Sequence, residues 1–320
     1  MTAPPRLDPA AIRRTLREAG LRPRHRLSQN FLADVDVLEA ILAEAAPTPG
    51  RRVLEIGPGL GILTGGLLAA GAAVTAIELD HALVARLRAQ QSEALTLGQR
   101  FPDGDPPPGS LRLIEGDALD QDLTRLLDEP YDVVANLPYH ITSPILHALL
   151  GSQSPPERAV LMVQREVAER IAAPPGAMSY LSVFVQYHAR VRVAFRVPAA
   201  AFEPAPAVES AVVVIEPRSD DPDHLPASEE DELWRLVQAA FRERRKMLHN
   251  VLVRQLAIPG ERVNAALAAA GIEAHRRPQT LAVDEWQALR KALGALGPDR
   301  RGRSTEQKSG QEIGQENGQA

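Results

Sequence analysis

Short apolar runs alternate with helical patterns over the first half of the chain. Five runs read as strands, at residues 53–56, 74–77, 111–114, 133–135 and 159–163. Apolar positions at helical spacing predict helices at residues 9–19, 35–45, 62–70, 82–89 and 143–150. Strands that alternate with helices need crossover connections, so the pattern predicts an α/β fold with a parallel, doubly wound sheet.

The later part of the chain changes character. Residues 180–193 and 211–215 are rich in apolar residues and predict further strands of the sheet. A stretch rich in Pro, Asp and Ser follows, then a helical pattern without strand signals, then a polar low-complexity end. These changes predict an α/β domain over 1–216 with a surface loop inserted at 98–110, a linker over 217–228, a smaller all-helical domain over 229–296 and a disordered tail over 297–320.

The composition excludes several classes of protein. The 320 residues include no cysteine, which rules out disulfide frameworks, thiolate metal sites and cysteine nucleophiles. No apolar run approaches the roughly 18 residues that cross a bilayer. Residues 1–11 lack the apolar core of a secretory signal. We therefore expect a cytoplasmic protein with no membrane partner.

Basic residues are concentrated in two places, although the net charge is −5. One cluster contains Arg22, Arg24 and Arg26, and the other contains Arg244, Arg245 and Lys246. Each cluster on its own fits a solvated charged surface as well as it fits a binding patch. If the partner is a nucleic acid, these six side chains are the candidates for phosphate contacts.

A glycine-rich turn follows the first predicted strand. Gly57, Gly59 and Gly61 are separated by single residues and precede a helix, which allows a tight turn and a close approach to a ligand. The next strand ends at Glu78, about 20 residues later, where a carboxylate accepts both hydroxyls of a ribose. A dinucleotide site prefers Gly-x-Gly-x-x-Gly, and the Lys-Ser/Thr pair of an ATP-hydrolysing loop is missing here. The pattern therefore predicts a site for another kind of nucleoside, with the acidic Glu55 just before it.

Two roles are open to Asp117, which follows the third predicted strand. A carboxylate at this strand end accepts a hydrogen bond from the amino group of an adenine. Aspartate is also a favoured N-cap, and a helical stretch begins directly after Asp117. The spacing does not separate the two roles, which are compatible with each other.

The most specific signal is Asn136-Leu137-Pro138-Tyr139, at the end of the fourth predicted strand. The exocyclic amine of adenine is a weak nucleophile because its lone pair is delocalised into the ring. An asparagine carbonyl and a backbone carbonyl that accept its two N–H groups pull the nitrogen toward tetrahedral geometry. Pro138 stiffens the turn, and Tyr139 offers a face on which a base stacks. Next to a glycine turn and two strand-end carboxylates, a purely structural turn is the weaker interpretation.

These motifs together resemble the ribosomal RNA adenine dimethyltransferase family, and its bacterial small-subunit members in particular. The resemblance runs from about residue 24 to about residue 286. Its parts, in chain order, are Gln29-Asn30-Phe31-Leu32, the run from Val53 to Gly61, Ile77-Glu78-Leu79-Asp80, Gly116-Asp117-Ala118, Asn136-Leu137-Pro138-Tyr139, the run from Met162 to Ala168, Phe202-Glu203-Pro204, the run from Val208 to Val213, and Arg244-Arg245-Lys246-Met247-Leu248.

The resemblance implies a Rossmann-like class I methyltransferase sheet and a defined reaction. S-adenosylmethionine gives methyl groups to N6 of two adjacent adenosines in a hairpin loop near the 3′ end of small-subunit rRNA, without a metal. By family position, the donor-binding residues are Asn30, Leu32, Gly57, Glu78, Asp117 and Asn136. The target-adenine residues are Asn136, Leu137, Pro138 and Tyr139, with Phe202 stacking on the base from the other side. The resemblance also implies a role in biogenesis of the immature small subunit, and we expect a monomer.

The sequence departs from the family pattern at three positions. Ser28 stands where glycine is common, His140 where asparagine is more usual, and Ala207 where a lysine often sits. None of the three is a residue that the motifs predict to take part in the reaction, although the absence of the lysine weakens an expected RNA contact.

Three other functions stay open. They are dimethylation of large-subunit rRNA of the macrolide-resistance type, nicotinamide-dependent oxidation, and a non-catalytic role in ribosome assembly. The glycine spacing and the acceptor motif argue against the oxidoreductase. The form of the acceptor motif and the sequence Arg244-Arg245-Lys246-Met247-Leu248 favour the small-subunit enzyme.

Overall fold

The computed structural model describes residues 7–24, 27–91, 107–127, 130–218 and 225–296. The chain divides into two compact units, of which the first combines Met1–Pro174 with Leu181–Pro222. The second, here the helical unit, combines Pro175–Tyr180 with Asp223–Ala320. Arg26, most of the loop predicted at 98–110, part of the predicted linker and the predicted tail lie outside the described residues.

The first unit alternates strands and helices. Its strands are β1 (Phe31–Leu32), β2 (Arg52–Ile56), β3 (Ala73–Glu78), β4 (Leu111–Glu115), β5 (Tyr131–Asn136), β6 (Arg158–Gln164), β7 (Ala189–Val197), β8 (Phe202–Glu203) and β9 (Ser210–Pro217). Its helices are α1 (Pro9–Glu18), α2 (Val35–Ala45), α3 (Ile62–Ala69), α4 (His81–Gln90), α5 (Leu123–Leu126), α6 (Thr142–Leu150), α7 (Arg165–Ile171) and α8 (Tyr180–His188). The five strands and five helices predicted over residues 9–163 are confirmed.

Seven strands form one sheet in the order β4-β3-β2-β5-β6-β9-β7. β4, β3, β2, β5 and β6 are parallel, and β9 runs antiparallel to both of its neighbours. The chain moves outward from β2 through β3 and β4, and then returns to the other side of β2 as β5. Parallel sheets open a crevice at such a switch point, beyond the carboxyl ends of the strands. The residues that follow β2 and β5 therefore flank this crevice.

The central strands are buried on both faces of the sheet. Every residue of β3 is buried, and so are the last four residues of β2. Helices α2 and α3 cover one face, where Ile41 and Leu67 pack with Val53, Val74 and Val134. Strands buried on both faces have continuous apolar sequences, which explains why the sequence alone predicts these strands.

A separate two-stranded sheet anchors the segment that leads into α2. β1 pairs antiparallel with β8, and Leu32 lies opposite Phe202. The backbone N–H of Ala33 donates to the carbonyl of Ala201 at 2.7 Å. The sequence does not predict this pairing, because a two-residue strand carries no periodic signal.

One predicted strand is wrong over most of its length. Residues 180–188 form helix α8, and β7 begins at Ala189. Leu181, Val183 and most other side chains of α8 are buried. A helix buried on most of its faces lacks the apolar stripe that marks a surface helix, and its β-branched residues resemble a strand. The strand predicted at 211–215 is confirmed within β9.

The helical unit confirms the helical pattern of the later sequence. Its helices are α9 (Ala227–Phe241), α10 (Leu248–Leu256), α11 (Gly260–Ala269) and α12 (Val283–Leu293). Trp286 and Leu289 of α12 are fully buried in its core. Within the described ranges, no helix has both the length and the apolar character to cross a membrane.

Candidate active site

A cavity opens at the carboxyl ends of β2, β3, β4 and β5. It encloses about 1100 Å³ of space, including its open mouth. The structure brings together at this cavity every residue predicted to bind the donor and all four residues of the acceptor motif: Asn30, Leu32, Gly57, Glu78, Asp117, Asn136, Leu137, Pro138 and Tyr139. The cavity thus occupies the crevice that the switch point between β2 and β5 creates.

The glycine turn forms one wall of the cavity with bare backbone. Gly57 and Gly59 have positive φ angles of 71° and 60°. A Cβ on Gly59 would lie 3.2 Å from the ring of Phe31, and one on Gly57 would lie 3.4 Å from Cδ of Pro138. A side chain at either position would strain the backbone and crowd the neighbouring cavity wall. The glycines therefore keep this wall open to a ligand.

Glu78 is a buried carboxylate that is held from two sides. Its Oε2 accepts the N–H of Gly59 at 3.0 Å, and its Oε1 accepts the N–H of Asp80 at 2.8 Å. Burial raises the pKa of Glu78, while these backbone hydrogen bonds oppose the shift. Each carboxylate oxygen has a second lone pair, so both can still accept a hydroxyl of a ribose.

Asp117 takes the capping role that the sequence left open. Its Oδ1 accepts the N–H of Leu119 at 2.9 Å and caps a short 3-10 helix, Ala118–Asp120. The residue also lines the cavity. Contact with a donor adenine stays a prediction, and the two roles remain compatible.

The acceptor turn, residues 136–140, follows β5. The side-chain nitrogen Nδ2 of Asn136 donates to the backbone carbonyl of Asn30 at 3.3 Å. With Nδ2 engaged in this way, Oδ1 of Asn136 serves as the acceptor of the carboxamide. The hydroxyl of Tyr139 shares a hydrogen bond with Oγ of Ser210 at 2.8 Å, and burial raises the pKa of Tyr139. The turn therefore lines the cavity with a carboxamide that is hydrogen-bonded to Asn30 and with an aromatic ring that is anchored by Ser210.

Phe202 is the one proposed base-contacting residue that does not line the cavity. Its side chain is 2% exposed and belongs to the core of the seven-stranded sheet. It lies opposite Leu32, a predicted donor-binding residue, in the two-stranded sheet. Stacking of Phe202 on a target base stays a prediction.

Similarity to known proteins identifies the family of this chain. The family model for ribosomal RNA adenine dimethylase matches residues 20–293. The chain belongs to the ribosomal RNA adenine dimethylase family. This finding confirms the resemblance, the fold class and the predicted enzyme, and it favours methyl transfer over nicotinamide chemistry.

Individual relatives cover nearly the whole chain. The ribosomal RNA small subunit methyltransferase A of Moorella thermoacetica is 40% identical over 290 residues, which are 87% of this chain and 95% of that protein. The protein of the same name from Geobacter metallireducens is 40% identical over 289 residues, or 88% and 99% of the two chains. Among solved structures, the 23S rRNA methyltransferase ErmE is 27% identical, with a TM-score of 0.64 over 82% of this chain and 99% of that one.

The two basic clusters are exposed where they are described. Arg22 and Arg24 precede β1, and Nη1 of Arg24 lies 3.3 Å from Oδ2 of the buried Asp80. The other cluster, Arg244, Arg245 and Lys246, lies in the turn between α9 and α10, and the described part of the chain offers these three side chains no carboxylate partner. Phosphate binding by either cluster stays a prediction.

Glu55 is a second buried carboxylate in the wall of the cavity. It is 1% exposed, and its Oε2 accepts the hydroxyl of Thr64 at 2.7 Å. Burial raises the pKa of Glu55 to about 8, and the neighbouring Glu78 adds to this shift. The side chain is therefore predominantly protonated near neutral pH.

Sequence reasoning missed the part that Asp80 plays in the site. Its Oδ1 accepts the N–H of Ala82 and caps α4, and its Oδ2 accepts Nε2 of Gln29 at 2.9 Å. An aspartate directly before a helical pattern signals the cap. The contact with Gln29 has no such signal, because the two residues lie far apart in the chain. The described residues contain no group of three or more His, Asp or Glu side chains that could hold a metal ion.

Proposed function

We propose that this chain transfers methyl groups from S-adenosylmethionine to N6 of two adjacent adenosines in a hairpin loop near the 3′ end of small-subunit rRNA. The product is N6,N6-dimethyladenosine, and the substrate is an immature small ribosomal subunit in the cytoplasm. The enzyme acts as a monomer and uses no metal. The observation that carries the proposal is the carboxamide of Asn136, held by Asn30 in the same cavity as the glycine turn.

The cavity fits the donor through the chemistry of its walls. The two oxygens of Glu78 match the two ribose hydroxyls, and Asp117 offers a carboxylate to the adenine amino group. The bare backbone at Gly57 and Gly59 leaves room beside them. When bound, S-adenosylmethionine supplies an electrophilic methyl group on a sulfonium that is itself the leaving group.

The acceptor turn provides what the target amine needs. Oδ1 of Asn136 accepts one N–H of the adenine amine, and a backbone carbonyl of the turn accepts the other. Two acceptors in fixed positions favour a tetrahedral nitrogen, whose lone pair is then available for attack. Tyr139 supports the base by stacking. Water takes the released proton, because the nitrogen becomes acidic once it carries the new methyl group.

Catalysis here rests on the placement of the two reactants. Holding the two reactants in line lowers the barrier without a general base, since the position of the nitrogen lone pair is set by its hydrogen bonds. The held carboxamide of Asn136 is the chain's main contribution to that placement.

The choice of small-subunit RNA is supported by the names of the relatives that are 40% identical. The fold alone does not make this choice, because the 23S rRNA methyltransferase ErmE shares it. The target must therefore be tested directly against large-subunit RNA.

A labelling experiment tests the proposal. The purified protein is incubated with isotopically labelled S-adenosylmethionine and with small subunits that lack these methyl groups, naked small-subunit rRNA, or large subunits. We expect label in N6,N6-dimethyladenosine from small subunits. Label in large-subunit RNA would instead indicate an rRNA dimethyltransferase of the macrolide-resistance type. Donor binding without any label would favour the assembly-factor alternative.

A further inference from the structure

Both ends of the acceptor turn are held by the same short segment, residues 28–30. At the start of the turn, Nδ2 of Asn136 donates to the backbone carbonyl of Asn30 at 3.3 Å. At its end, Nδ1 of His140 shares a hydrogen bond with Oγ of Ser28, also at 3.3 Å. Ser28, Asn30, Asn136 and His140 all line the cavity.

The segment is braced internally, which closes a ring of hydrogen bonds. The side-chain Nδ2 of Asn30 donates to the backbone carbonyl of Ser28 at 3.1 Å. The ring therefore runs from Asn136 to Asn30, on to Ser28 and His140, and back along the acceptor turn. Such a network links the position of each member to that of its neighbours through hydrogen bonds.

Ser28 occupies a backbone conformation that favours glycine. Its φ is 51°, in the left-handed region that residues with a Cβ rarely adopt. A glycine would take this conformation without strain but would lack the hydroxyl that meets His140. Ala46 and Ala257 have similar φ angles of 44° and 53°, so the backbone conformation alone assigns no role, and the role of Ser28 rests on its hydroxyl, which meets His140.

A second contact fixes the segment to the donor side of the cavity. Nε2 of Gln29 donates to Oδ2 of Asp80, which is 4% exposed. The backbone N–H of Asp80 in turn donates to Glu78, the carboxylate proposed for the ribose. The segment is thus tied to a rigid, buried group that does not belong to the acceptor turn.

We propose that Ser28 and His140 are positioning residues for methyl transfer. This inference rests on the proposed function, since it concerns the carboxamide that binds the target amine. Neither residue reaches the reacting atoms. Their hydrogen bond holds residues 28–30 and the acceptor turn at a constant distance. The backbone carbonyl of Asn30 then stays bonded to Nδ2 of Asn136, and Oδ1 of Asn136 stays directed at the base.

Four variants test this role: Ser28→Ala, His140→Ala, the double variant, and His140→Asn. Each single alanine variant should lose about five- to tenfold in kcat, as expected when one hydrogen bond that orients a reacting group is removed. The double variant should lose no more than either single variant, because one ring is broken in each case. Asparagine can place a polar atom close to the position of Nδ1, so His140→Asn should retain most of the activity. The affinity for S-adenosylhomocysteine should change less than twofold in all four.

A direct readout of the carboxamide separates positioning from a general loss of structure. In protein labelled with ¹⁵N-asparagine, the side-chain amide signal of Asn136 is assigned by its absence from Asn136→Asp. We expect this signal to shift in Ser28→Ala, which removes only a hydroxyl and leaves every aromatic ring near Asn136 in place. An unmoved signal, or losses of kcat that multiply in the double variant, would overturn the proposal. If the wild type methylates no rRNA, the proposed function fails, and the amide signal still decides whether the ring positions Asn136.

Discussion

Replacing Glu55 by glutamine should change how the stability of the first unit depends on pH. In the folded protein, burial raises the pKa of Glu55 from 4.5 to about 8. Between these values the unfolded chain has lost the proton and the folded chain has kept it. The folded state therefore becomes less stable as pH rises through this window. Glutamine has no proton to lose, so this contribution disappears in the variant.

The magnitude follows from the width of the window. For each pH unit between 4.5 and about 8, the free energy of unfolding of the wild type falls by about 1.4 kcal/mol relative to that of the variant. The total difference reaches about 5 kcal/mol. The glutamine amide also leaves a buried N–H₂ that lacks the partners of a carboxyl group, which costs about 1–3 kcal/mol at every pH. The slope against pH therefore identifies the effect of Glu55, and the constant offset does not.

Urea unfolding of both proteins at pH 5, 6, 7 and 8 measures this slope. We expect the free energy of unfolding of Glu55→Gln, minus that of the wild type, to rise steadily over this range. The matched control is Glu18→Gln, because Glu18 is an exposed carboxylate at the end of α1. A difference for Glu55→Gln that stays as flat as that of the control would refute the assignment of a protonated, buried carboxyl group at the cavity.

Three further variants test the proposed roles of residues in the site and in the basic cluster 244–246. Asn136→Ala should abolish methyl transfer, because the target amine loses its oriented acceptor, while donor affinity falls only a few-fold by calorimetry. Glu78→Gln should weaken binding of S-adenosylhomocysteine by about 10- to 100-fold, since hydrogen bonds to a charged group are worth about 1.5–3 kcal/mol. Reversal of Arg244 and Arg245 to Glu should weaken RNA binding and lower the slope of log affinity against log salt by about two, one for each phosphate that is no longer neutralised.

Each of these predictions has a result that would contradict it, and two of them have an exposed control residue. Asn264→Ala removes an exposed asparagine of α11 and should keep full activity. An active Asn136→Ala protein would contradict the mechanism. If Glu78→Gln binds S-adenosylhomocysteine as tightly as the wild type does, Glu78 does not bind the ribose hydroxyls. Lys291→Glu, at an exposed position of α12, is the control for the double reversal. If the double reversal leaves the salt dependence of RNA binding unchanged, Arg244 and Arg245 do not contact phosphates.

The parts of the site that follow parallel strands can be predicted from the sequence. Gly57, Glu78, Asp117 and Asn136 each come at the end of a buried apolar run. Parallel strands bring their carboxyl ends to one edge of the sheet, so local patterns are enough to place these residues together. The fold class follows from the same alternation of strands and helices.

Contacts between distant, non-periodic segments cannot be predicted in this way. The hydrogen bond between Ser28 and His140 joins residues 112 positions apart, and neither belongs to a periodic element. The burial of Phe202 depends on a two-residue strand that pairs with β1. The helix at 180–188 resembles a strand in sequence because its surroundings bury most of its faces. In each case the deciding interaction is tertiary, and the local sequence does not record it.

Dimethylation of two adjacent adenosines in small-subunit rRNA is tested by counting the methyl groups on a defined rRNA fragment. Small subunits that lack these modifications and, in a parallel reaction, large subunits are incubated to completion with the enzyme and S-adenosylmethionine. The rRNA is then cut with a nuclease, and the 3′-terminal fragments are weighed and sequenced by mass spectrometry. We expect a mass increase of four methyl groups, two on each of two neighbouring adenosines. A fragment that gains no methyl group, while large-subunit rRNA gains two on a single adenosine, would contradict the account.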